Sequence, residues 1–217
     1  MRGALARVRR VVLSGVALPL TLALSACLFE TAKPVFGPND VVAPAGLAET
    51  YRVDPPASAG DAPTPLYFAL KPASNSSYTA TLYAFEGDEG QKSWQNETYV
   101  MRFVVLDNHW YVWELASREV DGGAARWYGF VELSETGCRW VDSFSNEAED
   151  KIKEIAAAQG LYLRVSMGPP RVEGQLTAET LKAFFQAVVA GHGEGAATGT
   201  CAPSDLPDDL KAALGQG

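Results

Sequence analysis

Two glutamates inside predicted strands are the residues of this chain best suited to acid–base chemistry. Glu114 lies in WYVWEL and Glu132 in FVEL, so aromatic and aliphatic residues surround each carboxylate. A glycosidase needs two carboxyl groups that face each other across a cleft. Alternation along a strand equally allows both side chains to point into solvent, where neither would act on a substrate. We expect the solvent-exposed arrangement for both.

The two histidines do not lie in a catalytic motif. His109 follows Asp107-Asn108, a pair typical of a hairpin tip. His192 lies in GHGEG, where its spacing from Glu194 is poor for fixed metal ligation. The sequence has no HExxH, no paired CxxC and no GxSxG. We therefore predict no catalytic, cofactor-binding or metal-ligating residue and no cofactor.

Aromatic residues between positions 94 and 140 are a stronger indication of a binding surface. The segment 110–115 carries rings on both faces, because Trp110 alternates with Tyr111 and Trp113. One face would form the core, and the other would be a platform for sugar, lipid or a partner protein. Alternatively, the amphipathic helix predicted at 177–190 covers the second face. We expect the helix to cover it.

Hydrophobic patterning predicts that an antiparallel sheet positions these residues. Apolar alternation with β-branched and aromatic residues indicates strands at 67–70, 78–85, 98–106, 110–115, 126–133 and 138–141. Short turns between them favour a meander. Helices are then predicted at 146–158, 177–190 and near 207–214, with a short strand at 161–165. The predicted fold class is α+β, an antiparallel β-sheet meander followed by C-terminal helices packed on or beside it.

The first 26 residues have the pattern of an export signal. Four arginines precede an uncharged apolar run that is too short to span a bilayer comfortably. The run ends in Leu24-Ser25-Ala26-Cys27, which resembles the lipobox of bacterial lipoproteins. The resemblance covers only this targeting segment, about an eighth of the chain. It implies cleavage before Cys27 and attachment of acyl chains, palmitate among them, to that cysteine.

The same resemblance implies a location and a domain organisation. Leu28 follows the lipidated cysteine where an aspartate would favour the inner membrane, so we expect a lipid-anchored protein of the bacterial cell envelope, on the outer membrane facing the periplasm if the cell has one. Three segments are predicted: a signal peptide at 1–26, the lipidated Cys27 with a Pro/Ala-rich tether at 27–48, and one α+β domain at 49–217 with a flexible C-terminal tail.

Charge narrows the range of partners. Residues 1–26 hold four of the 18 basic residues and none of the 26 acidic ones, so the chain from Cys27 onward has a net charge of −12. Such an acidic surface argues against nucleic acid and against electrostatic binding to anionic headgroups. We expect the acyl chains on Cys27 to hold the membrane, with an envelope protein or ligand as a further partner.

The two remaining cysteines, Cys138 and Cys201, would lie outside the reducing cytosol. An even number of cysteines there favours a disulfide between them. Two free thiols are the alternative.

These observations favour a membrane-anchored envelope lipoprotein that acts as a non-catalytic binding or accessory module. Two alternatives stay open. One is a lipid or small-ligand carrier whose aromatic-lined sheet forms a cup, and the other is an envelope hydrolase that uses Glu114, Glu132 or a histidine. A sheet curled around an apolar cavity would support the carrier, whereas a sheet plugged by bulky side chains would argue against it.

Overall fold

A closed sheet dominates the structure, with a smaller sheet and helices packed on its outside. The computed structural model describes residues 28–54, 65–86, 93–107, 109–117, 125–164, 169–191 and 196–215. The strands are β1 (Phe29–Thr31), β2 (Thr50–Asp54), β3 (Leu66–Pro72), β4 (Ser77–Glu86), β5 (Ser93–Val105), β6 (Trp110–Ser117), β7 (Arg126–Ser134), β8 (Gly137–Phe144), β9 (Leu161–Arg164), β10 (Arg171–Gly174) and β11 (Ala196–Pro203). The helices are α1 (Asn146–Ala158), α2 (Ala178–Gly191) and α3 (Asp208–Ala213).

Eight strands form an antiparallel barrel in the order β2-β3-β4-β5-β6-β7-β8-β11. The last strand, β11, bonds to β8 on one edge and to β2 on the other. Because β2 is the first strand of the barrel, this double pairing closes the sheet. Closure satisfies the backbone groups that a sheet edge would otherwise expose.

The predicted fold class, an α+β sheet meander with C-terminal helices, is therefore wrong. The meander exists, but β11 follows α2 and inserts between the two ends of the sheet. Residues 196–203 read AATGTCAP and lack the alternating large apolar residues that mark a strand. This segment becomes a strand because two neighbouring edges offer unpaired backbone groups.

A three-stranded sheet branches from the barrel at β7. The C-terminal half of β7 bonds to β8, while its first residues bond to β1, with Phe29 opposite Tyr128. On its other edge β1 runs parallel to β10, which pairs antiparallel with β9. We call β1, β10 and β9 the side sheet.

Helix α2 covers the outer wall of the barrel beside β7. The ring of Phe185 lies 5.4 Å from the rings of both Tyr128 and Phe130, and Phe184 lies 5.2 Å from Phe29. Trp110 and Val112 belong to the same buried cluster. The prediction that a C-terminal helix covers the second aromatic face is confirmed.

Residues 28–48 are part of the fold, in contrast to the flexible tether that was expected. Phe29 and Phe36 are only 2% and 3% exposed. The backbone N–H of Leu28 donates to the Tyr128 carbonyl at 2.9 Å, and that of Val42 donates to the Phe103 carbonyl at 2.9 Å. The prolines that suggested a linker suit a segment that crosses the outer wall with few ladder hydrogen bonds.

The C-terminal tail also packs on the barrel. The predicted short helix near 207–214 is present as α3, and its Leu210 is fully buried. The indole N–H of Trp94 on β5 donates to Asp209 Oδ2 at 3.0 Å. The tail up to residue 215 is thus attached by contacts, where flexibility was expected.

Cys138 and Cys201 form a disulfide between β8 and β11. Their Cα atoms are 4.9 Å apart, and the two residues lie directly opposite each other in the ladder. The bridge therefore fastens the closing strand to the meander.

Replacing both cysteines with alanine should lower the free energy of unfolding by roughly 4 kcal/mol, because the bridge joins positions 63 residues apart and restricts the unfolded chain. Urea denaturation of the oxidised protein and the double variant measures the difference. A loss below about 1 kcal/mol would contradict the expected contribution of the bridge.

Candidate functional site

The inner wall of the barrel is the candidate binding site. Alternate residues of each strand face inward, and the ladder register places them on one continuous surface. Most of these side chains form a cluster separate from the one under α2. Its aromatic members, with Trp140 added from the register, are Tyr51, Phe68, Tyr78, Tyr99, Phe103, Tyr111, Trp113, Trp127 and Trp140.

One end of the barrel interior is filled by its own side chains. We call it the turn end, because residues 73–76, 106–109 and 135–136 connect the strands there. The ring of Phe103 lies 5.7 Å from that of Tyr78 and 6.3 Å from that of Tyr111. Met101 is only 6% exposed. Bulky residues therefore plug this end, which restricts any ligand to the other one.

The opposite end, which we call the far end, has a more accessible wall. Its strand connections at 55–64, 87–92 and 118–124 lie outside the described residues. Leu66 and Phe68 are successive inward-facing residues of β3, and both are partly exposed, as is Trp127 at the start of β7. Trp140, opposite Val131 on β8, is also partly exposed and lies deeper in the barrel. On β6, exposure from the turn end stops at the first inward residue, since Trp113 follows Tyr111 and is buried. On β3 the wall is therefore accessible from the far end to the depth of Phe68, while the inward residues Leu82, Ala84 and Leu115 are buried.

Two tryptophans lie flat against glycines of the neighbouring strand. A Cβ atom on Gly129 would lie 2.1 Å from the Trp113 ring, and one on Gly199 would lie 2.5 Å from the Trp140 ring. Neither position accepts a side chain without moving the ring. Glycine at these two wall positions thus lets each indole pack directly on backbone.

The indole nitrogen of Trp140 is the polar feature of this wall that stands out. It is buried, and no acceptor among the described residues forms a hydrogen bond with it. An unsatisfied buried N–H costs about 1–3 kcal/mol. A second polar pair lies on β5, where the Tyr99 hydroxyl donates to the Glu97 carboxylate. The wall is otherwise mainly apolar, as small-molecule sites usually are.

Glu114 lies on the outer wall, and the prediction that it faces solvent is wrong. It is 1% exposed, and Arg102 Nε donates to its Oε1 at 2.9 Å. Arg126 Nε lies 3.6 Å from the same oxygen. Arg102 Nη2 also donates to the Phe36 carbonyl at 3.2 Å. The buried ion pair therefore holds the N-terminal segment against the barrel.

Tyr128 extends this network to β1. Its hydroxyl lies 3.1 Å from Thr31 Oγ1, and both residues are fully buried. Burial, and then the negative charge of Glu114, raise the pKa of Tyr128 well above its usual value. The phenol stays neutral, so it remains available as a hydrogen-bonding group beneath the N-terminal segment.

Neither Glu132, the other candidate acid, nor His109 lies close to Glu114. Glu132 is partly exposed on the outer wall and accepts from Arg139 Nε at 2.9 Å. Glu132 lies opposite Trp110, and Trp110 is four residues, or about 13 Å, from Glu114 along β6. His109 is exposed in the turn before β6. His192 and Cys27 lie outside the described residues.

Within the described ranges, no three His, Cys, Asp or Glu side chains are grouped as a metal site would require. In the same ranges, no helix combines the length and the apolar character needed to cross a bilayer.

Comparison with known proteins finds no relative of this chain. The chain matches no protein-family model, no curated protein and no solved structure.

The inner wall of the barrel could not have been identified from sequence alone, because closure depends on β11. The local signal that could have pointed to it is the set of rings on both faces of the segment 110–115.

Replacing Glu114 with glutamine should lower the free energy of unfolding by about 3–5 kcal/mol, because it leaves a largely buried arginine charge without its partner. Glu132→Gln is the matched control, since it breaks an exposed pair and should cost about 0–1 kcal/mol. Urea denaturation of both variants beside the unmodified protein measures the two effects. Equal, small losses would show that the buried pair does not hold the segment in place.

Proposed function

We propose that this chain is a lipid-anchored protein of the bacterial cell envelope that acts by binding, and that its barrel takes up one small apolar ligand through the far end. Two observations carry the proposal: the partly exposed Leu66 and Phe68 at that end, and the indole N–H of Trp140, which has no acceptor among the described residues.

The dimensions of the barrel favour a small ligand. An eight-stranded barrel is just wide enough to be filled by side chains or to hold one small molecule. Here the side chains of Tyr78, Phe103 and Tyr111 occupy the turn end. The partly exposed inner-wall residues Leu66, Phe68 and Trp127 lie towards the other end. The closed barrel with its buried aromatic cluster is compatible with a carrier of this kind.

The polar groups indicate the chemistry of the ligand. An apolar wall binds an apolar body, and a few placed polar groups orient it. Trp140 offers one donor, so a carbonyl or similar acceptor on the ligand would satisfy it. The ligand class is therefore a compact apolar or aromatic molecule with one hydrogen-bond acceptor.

The proposed anchor rests on the lipobox-like Leu24-Ser25-Ala26-Cys27. Acyl chains on Cys27 would hold the barrel at an envelope membrane, on the periplasmic face of the outer membrane where the cell has one. Several acyl chains together bind a membrane stably, whereas one alone does so only marginally. A carrier in this position would keep its ligand close to the membrane surface.

Ligand uptake is tested with prodan, an uncharged fluorescent naphthalene that carries one ketone. We expect saturable binding of one prodan per chain. Trp140→Phe should weaken it about threefold to tenfold, because it removes one neutral hydrogen bond of about 0.5–1.5 kcal/mol. Trp94→Phe is the matched control, since Trp94 donates to Asp209 on the outside of the barrel.

A second probe separates the hydrogen bond from the ring. N-phenyl-1-naphthylamine has a similar size but no carbonyl, so Trp140→Phe should change its affinity less than about twofold. Absence of saturable binding for both probes would reject the ligand-binding proposal. Equal weakening of both probes would reject the role of the Trp140 N–H.

The anchor is tested by intact mass and membrane fractionation of the protein from its native host, beside a Cys27→Ala variant. The expected result is a chain that starts at Cys27, carries acyl mass, and leaves the membrane fraction in the variant. An unmodified cysteine at position 27 would reject the anchor.

A further inference from the structure

The folded part of the chain begins without any spacer after the proposed lipid attachment site. Leu28 is 8% exposed, and its backbone N–H bonds to the carbonyl of Tyr128 on β7. The next residue, Phe29, is already in β1 and buried. Three residues of chain span at most about 11 Å. Position 27 therefore lies within that distance of Glu30, on the side sheet.

We propose that the end of the side sheet next to Leu28 rests on the phospholipid surface, with Arg164 and Arg171 bound to lipid phosphates. The inference rests on the proposed acylation of Cys27, because the acyl chains are what bring this end to the bilayer. The polar region of each bilayer leaflet is about 5–8 Å thick. The distance limit on position 27 thus allows both arginines to reach it.

The ladder places the two arginines together at this end. Arg171 lies opposite Glu30 of β1 on one side and opposite Arg164 of β9 on the other. Like charges directly opposite on neighbouring strands are destabilising. A phosphate that accepts hydrogen bonds from both guanidinium groups would relieve this repulsion. Glu173 and Glu30 already pair with these arginines, so a headgroup phosphate would share the guanidinium groups with the two carboxylates.

Exposure and charge of the same face support a bilayer as the occupant. The side chains of Arg164 and Arg171 are 72% and 41% exposed, although each also pairs with a glutamate, Glu173 and Glu30 respectively. Tyr162, on the same face, is 56% exposed, and tyrosine is enriched where proteins meet headgroups. Because the chain from Cys27 onward has a net charge of −12, an anionic bilayer repels it as a whole, and contact is most favourable where arginines cluster.

Contact at this end would also orient the binding site. In β1, Phe29 lies opposite Tyr128 and Thr31 lies opposite Arg126, the first residue of β7. Because β7 begins at the far end of the barrel, β1 runs towards that end. The chain therefore leads away from the membrane and towards the far end. In this orientation a ligand enters from the aqueous side.

The test supplies the anchor chemically. All described contacts lie within 28–215, so the chain from Cys27 onward carries the whole described fold, and its other two cysteines are joined in the disulfide. The thiol at position 27 is coupled to a maleimide lipid in vesicles of phosphatidylcholine and phosphatidylglycerol. Amide hydrogen exchange of 161–164 and 171–174 is compared with that of protein coupled to a short soluble maleimide.

On vesicles, exchange in these two segments should be slower by a factor of about three or more. Arg164→Gln with Arg171→Gln should abolish the protection. Arg52→Gln with Arg139→Gln should leave it intact, because these arginines are similarly exposed and paired but lie on the barrel strands.

Unchanged exchange on vesicles, or equal protection in both double variants, would overturn the inference. Because coupling replaces the natural acyl chains, this outcome is independent of whether the host lipidates the protein. An unmodified Cys27 in the host rejects the proposed anchor instead, so the two failures are distinguishable.

Discussion

Closure of the sheet by β11 is the constraint on which the rest of the structure depends. This strand occupies the free edges of both β8 and β2, and the Cys138–Cys201 bridge fixes it to β8. Once the sheet is closed, every strand has an inside and an outside. Gly199 on β11 then provides the flat backbone surface on which the Trp140 ring packs. Without β11 the inner wall would be an open, solvent-exposed apolar face.

The second consequence of closure is that the outer wall beside β7 needs a cover. Its residues Val112, Tyr128 and Phe130 are as apolar as those inside, and burying them stabilises the fold by roughly 25 cal/mol per Å² of apolar area. Helix α2 supplies one part of the cover, and residues 28–48 supply the other. The Arg102–Glu114 pair lies beneath this second part and satisfies the Phe36 carbonyl as well. Residues 28–48 are thus part of the fold.

Local pattern was sufficient to predict most individual elements, and insufficient for how they assemble. The helix predicted at 146–158 matches α1, and the strands predicted at 78–85 and 126–133 lie within β4 and β7. Closure was missed because AATGTCAP has no strand pattern and folds only between two existing edges. The segment 28–48 was misread because proline content indicates irregular backbone but cannot tell a packed irregular segment from a free one. Glu114 was misplaced because alternation says which residues share a face, but not which face is covered.

The most direct test of ligand uptake is the indole N–H region of a ¹H–¹⁵N correlation spectrum during titration with prodan. The chain has five tryptophans, and loss of a signal in Trp140→Phe assigns the one of interest. Uptake through the far end predicts that the Trp140 signal moves furthest as prodan saturates, while the signal of Trp94, bonded to Asp209 on the outside, stays in place. Five unmoved indole signals at saturating probe would contradict a binding site inside the barrel.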